Sequence, residues 1–495
     1  MAKGITRPAR EQDGQNIPSR PLSSNERILM SSCVGAPFIR LAHPGEFHED
    51  DNGTGTLQPG EMTVRAFALA AIAVILSLLP ATALPAPLTL LDGLGMVTEE
   101  NRIVRIKQEE ERISHADTVI ARSKLLPSVN ASYGQTFLEN QPGLRAFGLV
   151  AQTGERSFYT YQLVIQQILY DFGGVTSLYQ SAKLMEDTTR LDTVKTKNDV
   201  ALVFSTLYFD VLESEKMIAV AEREIESLAS HAQVARDLLQ SGLITRNDLL
   251  QAEVRLADAR QKLLNARNMR RINGARVDSM LTRPLASPVE VIEVTRPYAG
   301  LPPYEGAAET AEKDRPELKI VDATLAALRY EETARRSEYF PKLLLQGERD
   351  YTKNKYLTYE GNMGVSLLVN LNLFAGGSTS AAVQKAQLAR SRLSVERAKL
   401  ADDIRLELEK YYLDAVNASE AIKVAQGAIS QAEENLRITK LKYEEGTGIA
   451  RDVTDAIALR TLSETNYYRA LYDYYRSEAG YLYAMGRNLK DEYGR

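Results

Sequence analysis

Between Val175 and Gln240 the chain contains neither proline nor glycine. These are the residues that most readily end a helix. An unbroken helix over that stretch has about 66 residues and reaches roughly 100 Å. Helices far beyond about 25 residues imply coiled-coil packing. The apolar positions agree: Val200, Val203, Leu207 and Val211, then Leu249, Ala252, Leu256 and Leu263, recur at coiled-coil-like spacing. The charge along these helices reads as a solvated face and is given no site role.

The order of elements is written twice. The first half opens with a helical pattern from about Asp92 to Leu126, stopped by Pro127. Alternating segments follow at Val129-Ala131-Tyr133 and Tyr159-Tyr161-Leu163-Ile165, and "YDFGG" (Tyr170–Gly174) punctuates them. The long helix comes next, then a Ser241-Gly242 turn and a second long helix to about Leu281. The second half repeats this. A helix ends at Pro341. A strand then alternates, with Met363, Val365, Leu367, Val369, Leu371 and Leu373 on one face. Asn362, Gly364, Ser366, Leu368, Asn370 and Asn372 lie on the other. "LFAGG" (Leu373–Gly377) matches "YDFGG", a long helix runs to Glu445, and a last helix follows the Gly446 turn. This is a tandem duplication: residues 88–282 form one repeat, 315–489 the other, and 490–495 a C-terminal tail. The proline-rich stretch 283–314 reads as the linker between them.

The N-terminus belongs to neither repeat. Residues 1–61 are polar and aperiodic and read as a disordered extension, with Met62 the candidate true start. Residues 62–83 have the grammar of a signal peptide: Arg65, an apolar run from Ala66 to Leu79, Pro80, and small residues at Ala81–Ala83, with cleavage expected near Ala83 or Ala86. The apolar run is short for a membrane-spanning helix.

Ten-residue alternating strands have the length of tilted membrane strands. An apolar face opposite small or amide residues suits lipid outside and water inside. Four strands cannot close a barrel, which needs about eight or more, and open edges cannot face lipid. Several copies must therefore pool strands, and three copies give twelve. The fold class is thus mainly α with membrane β, built on a duplicated helix–strand–strand–helix–helix unit.

Other classes are disfavoured. A net charge of −5 does not suggest a nucleic-acid partner. Cys33 is the lone cysteine, so no internal disulfide or cysteine metal site can form. His43, His48, His115 and His231 are scattered, so no metal site is assigned. No nucleophile–base pair, metal-spacing cluster or phosphate loop stands out, so neither an enzyme nor a cofactor is expected.

The duplicated order, the "LP" and "FP" helix stops (Leu126-Pro127, Phe340-Pro341), "DRPEL" (Asp314–Leu318), the two GG strand ends and the two Gly-turn-Asp phrases together resemble the TolC-type outer-membrane efflux family, over nearly all of residues 88–489. The resemblance implies a homotrimeric exit duct: a 12-stranded β-barrel in outer-membrane lipid continued by a long α-helical coiled-coil barrel crossing the periplasm. The implied partners are a periplasmic adaptor (membrane fusion) protein and an inner-membrane transporter, as in a tripartite efflux pump or a type I secretion system.

It also places the turns at the periplasmic tip. Asp452 and Asp455 fall on the family's acidic constriction pair. Tyr443 falls on a tyrosine that bonds across the closed tip, and Asp248 on the acid it bonds to. The family's arginine-to-threonine latch falls on Gly448 and Asn247, which cannot form it; Arg246 and Arg451 are the candidate substitutes. Gly242, Leu243, Ile244 and Thr245, with Gly446, Thr447, Gly448 and Ile449, match the adaptor-docking turns. From the residues alone, Asp248 or Asp452 equally fits an acid at a helix N-terminus. A periplasmic coiled-coil adaptor or structural scaffold without a pore also stays open.

Overall fold

The computed structural model describes residues 87–285, 287, 289–294 and 300–494. The 1–61 extension, the 62–83 signal peptide and linker residues 295–299 lie outside the described residues.

The first repeat begins with helices α1 (Leu90–Glu100) and α2 (Arg102–Ser123). The single helical run expected from Asp92 to Leu126 is therefore broken, and Asn101 breaks it. Its backbone is extended, with φ −61° and ψ 138°. Its carboxamide oxygen accepts from the Ile103 N–H at 2.8 Å, and its amide donates to the Met280 carbonyl at 2.8 Å. An asparagine satisfied on both sides starts a new helix better than it continues an old one.

Strand β1 (Ser128–Phe137) is followed by a small hairpin, β2 (Gly143–Ala146) and β3 (Leu149–Gln152), and by β4 (Ser157–Tyr170). The hairpin was not expected from the alternation. Helices α3 (Gly174–Gln240) and α4 (Arg246–Met280) complete the repeat. The linker contains α5 (Ala307–Asp314), so it is partly helical. The second repeat holds α6 (Pro316–Ser337), β5 (Lys342–Thr352), β6 (Gly361–Asn370), α7 (Ser378–Glu444) and α8 (Ala450–Ala484). The long helices of the two repeats match in length: α2 and α6 have 22 residues each, α3 and α7 have 67, and α4 and α8 have 35. The tail is a short helix, α9 (Leu489–Tyr493), anchored by buried Leu489.

β1, β4, β5 and β6 form one antiparallel sheet in the order β1-β4-β5-β6. Its register sorts the side chains. Val129, Ala131 and Tyr133 oppose Ile165, Leu163 and Tyr161, and Leu345 and Gly347 oppose Leu367 and Val365. This face is mainly apolar, with Gln135, Gln167 and Arg349 as its polar members. The other carries Ser128, Asn130, Gln162, Gln166, Gln346, Glu348, Asp350, Asn362 and Ser366. Met363, Val365, Leu367 and Val369 are exposed, as alternation predicts. The ladder ends at Asn370, however, so Leu371 and Leu373 lie beyond the strand. Among the described residues β1 and β6 each have one unpaired edge.

The sheet joins the long helices through turns that need positive φ. Gly173 and Gly377 adopt φ 83° and 85°, preceded by Phe172 at 55° and Gly376 at 60°. A phenylalanine pays for that conformation. Here it stacks on Phe340 and packs on Tyr170, with centroids at 4.7 and 4.8 Å.

Helix α3 packs on α2, α4, α6 and α8. Its buried face is correspondingly wider than a two-helix seam. Val200 and Val211 are buried, but Val203 is exposed and its neighbour Phe204 is buried instead. The main core unites the repeats: Leu94, Val97, Phe204, Phe209, Tyr472 and Tyr475 belong to one cluster. The Tyr208 hydroxyl reaches the carbonyls of Ile292 and Leu88 at 2.6 and 3.0 Å, pinning the linker to the first residues of the repeat. "DRPEL" also has a structural use. Buried Arg315 pairs with Glu317 and Glu407, both at 3.0 Å, and lies over the Tyr483 ring.

Candidate functional site at the helical turns

Each long helix pair turns through the same backbone device. At the end of α3, Gly242 (φ 73°) donates its N–H to the Leu239 carbonyl and Leu243 donates to Leu238, at 3.0 and 2.9 Å. At the end of α7, Gly446 (φ 76°) donates to Tyr443 and Thr447 to Lys442, at 3.1 and 2.9 Å. Both are Schellman turns, which place an αL residue just past the helix. Six residues beyond each glycine stands an aspartate, Asp248 or Asp452.

The turns then diverge. In the first, the Asp248 carboxylate accepts from the Thr245 N–H at 3.1 Å and from its hydroxyl at 2.7 Å. This is a capping box. Asp248 is thus engaged in starting α4. In the second, Ile449 takes the N-cap position and offers no side-chain cap. Asp452 remains exposed in the first turn of α8, where its charge suits the helix dipole. Asp455 is exposed one helical turn later and forms an ion pair of 3.6 Å with Arg451. Both carboxylates point away from the buried face of α8, which is Val453, Ala456 and Ile457.

That buried face belongs to a small core holding the two turns together. Leu228, Ala259, Leu436, Tyr443, Ala450 and Val453 share it, with Leu238 and Leu256 packed alongside. Tyr443 sits inside. Its hydroxyl has no hydrogen-bond partner among the described residues, and its ring lies 5.0 Å from that of His231. The bond to Asp248 implied by the family resemblance is absent within the chain. Burial, then the nearby Asp248 charge, pushes the Tyr443 phenol above its ordinary value. His231 is a residue that sequence reasoning missed. It lies more than 200 positions from Tyr443, and no local pattern marks it. Burial, with Lys440 nearby, pulls its pKa down to about 4.

Of the two candidate substitute arginines, Arg451 is tied to Asp455 in its own helix, and Arg246 has no ion pair among the described residues. Asn247 is exposed beside it. Gly448 explains the missing arginine sterically. Its N–H donates to the Lys442 carbonyl, and a Cβ there would lie 3.0 Å from the Tyr443 nitrogen. At the turn surface, Leu243 and Ile449 are exposed apolar side chains, flanked by Ile244, Thr245, Gly446 and Thr447. Among the described residues no group of three or more potential ligands is placed to hold a metal, and no helix is long and apolar enough to cross a membrane.

The chain is similar in sequence and fold to known proteins. The family model described as outer membrane efflux protein matches residues 96–283 and 307–487. Among curated relatives, the alkaline protease secretion protein AprF of Pseudomonas aeruginosa is 22% identical over 78% of this chain and 82% of its own. Nodulation protein T of Rhizobium leguminosarum bv. trifolii is 21% identical over 93% and 95%. Among solved structures, the Campylobacter jejuni CmeC outer membrane channel superposes with a TM-score of 0.71 at 15% identity, over 80% of this chain and 85% of that one.

Proposed function

The chain belongs to the outer membrane efflux protein family, and from that premise we propose how it builds and narrows its duct. It is an outer-membrane exit duct for efflux or secretion, with its helical part in the periplasm. Three copies join through the free edges of β1 and β6 to close a twelve-stranded barrel, the apolar face toward lipid and the polar face lining the pore. The observation that carries this is the sheet: it has one apolar and one polar face and two open edges. Aromatic residues stand at both ends of the apolar face, Tyr133, Tyr161 and Tyr351 at one and Tyr170, Phe172 and Phe340 at the other. They are separated by about nine residues, roughly 30 Å along the strand and about 20–25 Å in height once it tilts, the height of an outer-membrane apolar band.

The helical turns form the periplasmic mouth. Asp452 and Asp455 of three copies ring it with carboxylates, which favour cations. The core around Tyr443 holds the two turns of each copy together. Exposed Leu243 and Ile449 offer the periplasmic adaptor its apolar contact, and an inner-membrane transporter supplies the cargo. Secretion of a protein substrate, as the name of AprF states for that relative, is the cargo class favoured. Residues 62–83 act as the signal that sends the chain across the inner membrane.

The test is direct. Copies with one engineered cysteine on β1 and another on β6 should cross-link into closed trimers, and wild-type protein should conduct as single channels in a bilayer. Monomers without conductance would overturn the reading.

A further inference from the structure

We propose that the outward face of the barrel, near its outer rim, holds the phosphate group of an outer-leaflet glycolipid between Arg349 and Lys353. The proposal rests on the barrel reading above. In register, the apolar face of the sheet carries one charged strand residue, Arg349, which opposes Leu163 on β4 and Met363 on β6. Neither can pair with it. Glu348 and Asp350 flank it in sequence and project from the opposite face. Arg349 is exposed and makes no ion pair or side-chain hydrogen bond among the described residues. A charge facing lipid is costly and marks function by default.

Its position along the strand fixes the depth. β5 starts next to the helices at Lys342 and ends at Thr352. Arg349 lies three residues short of that outer end, about 10 Å along the strand, so its long side chain can bring the guanidinium up to the headgroup level. Lys353 stands just past the strand. Its N–H donates to the Tyr159 carbonyl at 2.9 Å, and its ammonium lies 6.0 Å from the centre of the Tyr159 ring. Tyr159 shares the outward face with Tyr161 and Tyr351, so the second cation is drawn to the side where Arg349 emerges. Lys353 likewise has no carboxylate partner among the described residues. Glu360, an acid at this edge, accepts from the Tyr351 hydroxyl at 2.7 Å and from the Asn354 N–H at 3.1 Å.

Two unpaired cations about 13 Å apart along a strand, with tyrosine rings between them, form a cradle for a headgroup. A guanidinium grips a phosphate through two parallel N–H bonds, which a zwitterionic or neutral headgroup does not reward as well. The wall below, Leu163, Val365 and Leu367, takes the acyl chains.

The full chain, purified as oligomer from outer membranes, should be exchanged into detergent with a phosphorylated glycolipid or its dephosphorylated form. Native mass spectrometry then reads bound lipid per chain. Retention of the phosphorylated form should exceed that of the dephosphorylated form at least tenfold. Arg349→Gln with Lys353→Gln should abolish the difference, while the oligomer still resists heat on a gel. Equal retention of the two lipids, or by wild type and double variant, overturns the proposal and leaves Arg349 a residue that merely reaches for solvent. Should the wild-type chain fail to fractionate with outer membranes, it is the barrel reading that falls.

Discussion

The phenol of Tyr443 and the imidazole of His231 face each other in the small core beside the two helical turns, and neither Tyr443 Oη nor His231 Nε2 has a hydrogen-bond partner among the described residues. Two lone polar atoms in one apolar cluster make this core sensitive to changes that leave the rest of the chain untouched.

The first consequence is a dependence on pH. The folded pKa of His231, about 4, lies below the ordinary 6.5, so the unfolded chain binds its proton first. Stability from this group is complete above pH 6.5 and is lost as pH falls toward 4. The loss is on the order of 1–3 kcal/mol. Between pH 7.5 and 4.5, wild-type protein should lose more melting temperature than His231→Phe. Parallel losses would remove His231 as the cause.

Tyr443→Phe deletes a hydroxyl that has no hydrogen-bond partner among the described residues. It should leave the channel's closed-state conductance unchanged and raise stability by up to about 1 kcal/mol. Tyr443→Ala should instead cost about 3–5 kcal/mol through the cavity it leaves. A leaky Phe variant in bilayer recordings would show that the hydroxyl bonds across the mouth after all.

The carboxylate ring is tested by charge. Asp452→Ala with Asp455→Ala should weaken block by multivalent cations. Arg451→Ala should strengthen it, because Asp455 loses its neutralising partner. Identical block in all three proteins would exclude these residues from the narrowing.

Gly446→Ala and Gly448→Ala should both destabilise, for different reasons. At Gly446 the cost is the left-handed backbone, about 1–2 kcal/mol. At Gly448 it is contact with the Tyr443 backbone, about 1 kcal/mol or more. Gly448→Arg should therefore weaken the turn rather than restore a latch. A higher melting temperature for that variant would contradict the steric account.

Arg476 bridges the repeats, contacting Asp210 and Glu213 of α3 at 2.8 Å each. Burial already raises both carboxylates. Arg476→Ala leaves them unpaired in a half-dry site and should cost about 2–4 kcal/mol in chemical denaturation. A cost below 1 kcal/mol would mean that solvent reaches them freely.

Much of this architecture is legible in sequence because its periods are long. The absence of proline and glycine from 175 to 240 fits α3 to within one residue, and the alternation from Met363 to Val369 fits β6. Both signals are local. The break at Asn101 is not, because it depends on the Met280 carbonyl far along the chain. The exposure of Val203 and burial of Phe204 depend on how many helices surround α3, which heptad spacing does not encode. His231 is invisible for the same reason, since its neighbour Tyr443 comes from the other repeat. The engaged state of Asp248 is half visible: Thr245 and Asp248 have capping-box spacing, yet the family likeness drew attention to the tyrosine instead.

The unequal turns bear on how such a mouth dilates. Thr245 and Asp248 lock one corner of each chain with two side-chain bonds at the helix start, whereas Ile449 caps nothing and the other corner has one side-chain bond, from the Thr447 hydroxyl to the Lys442 carbonyl at 3.1 Å. In the trimer proposed above the mouth would have six corners, and the three without a capping box would alternate around its rim. Dilation of such a mouth would start at those three, with the capped corners as struts, so that the two copies of one duplicated phrase would carry different mechanical duties.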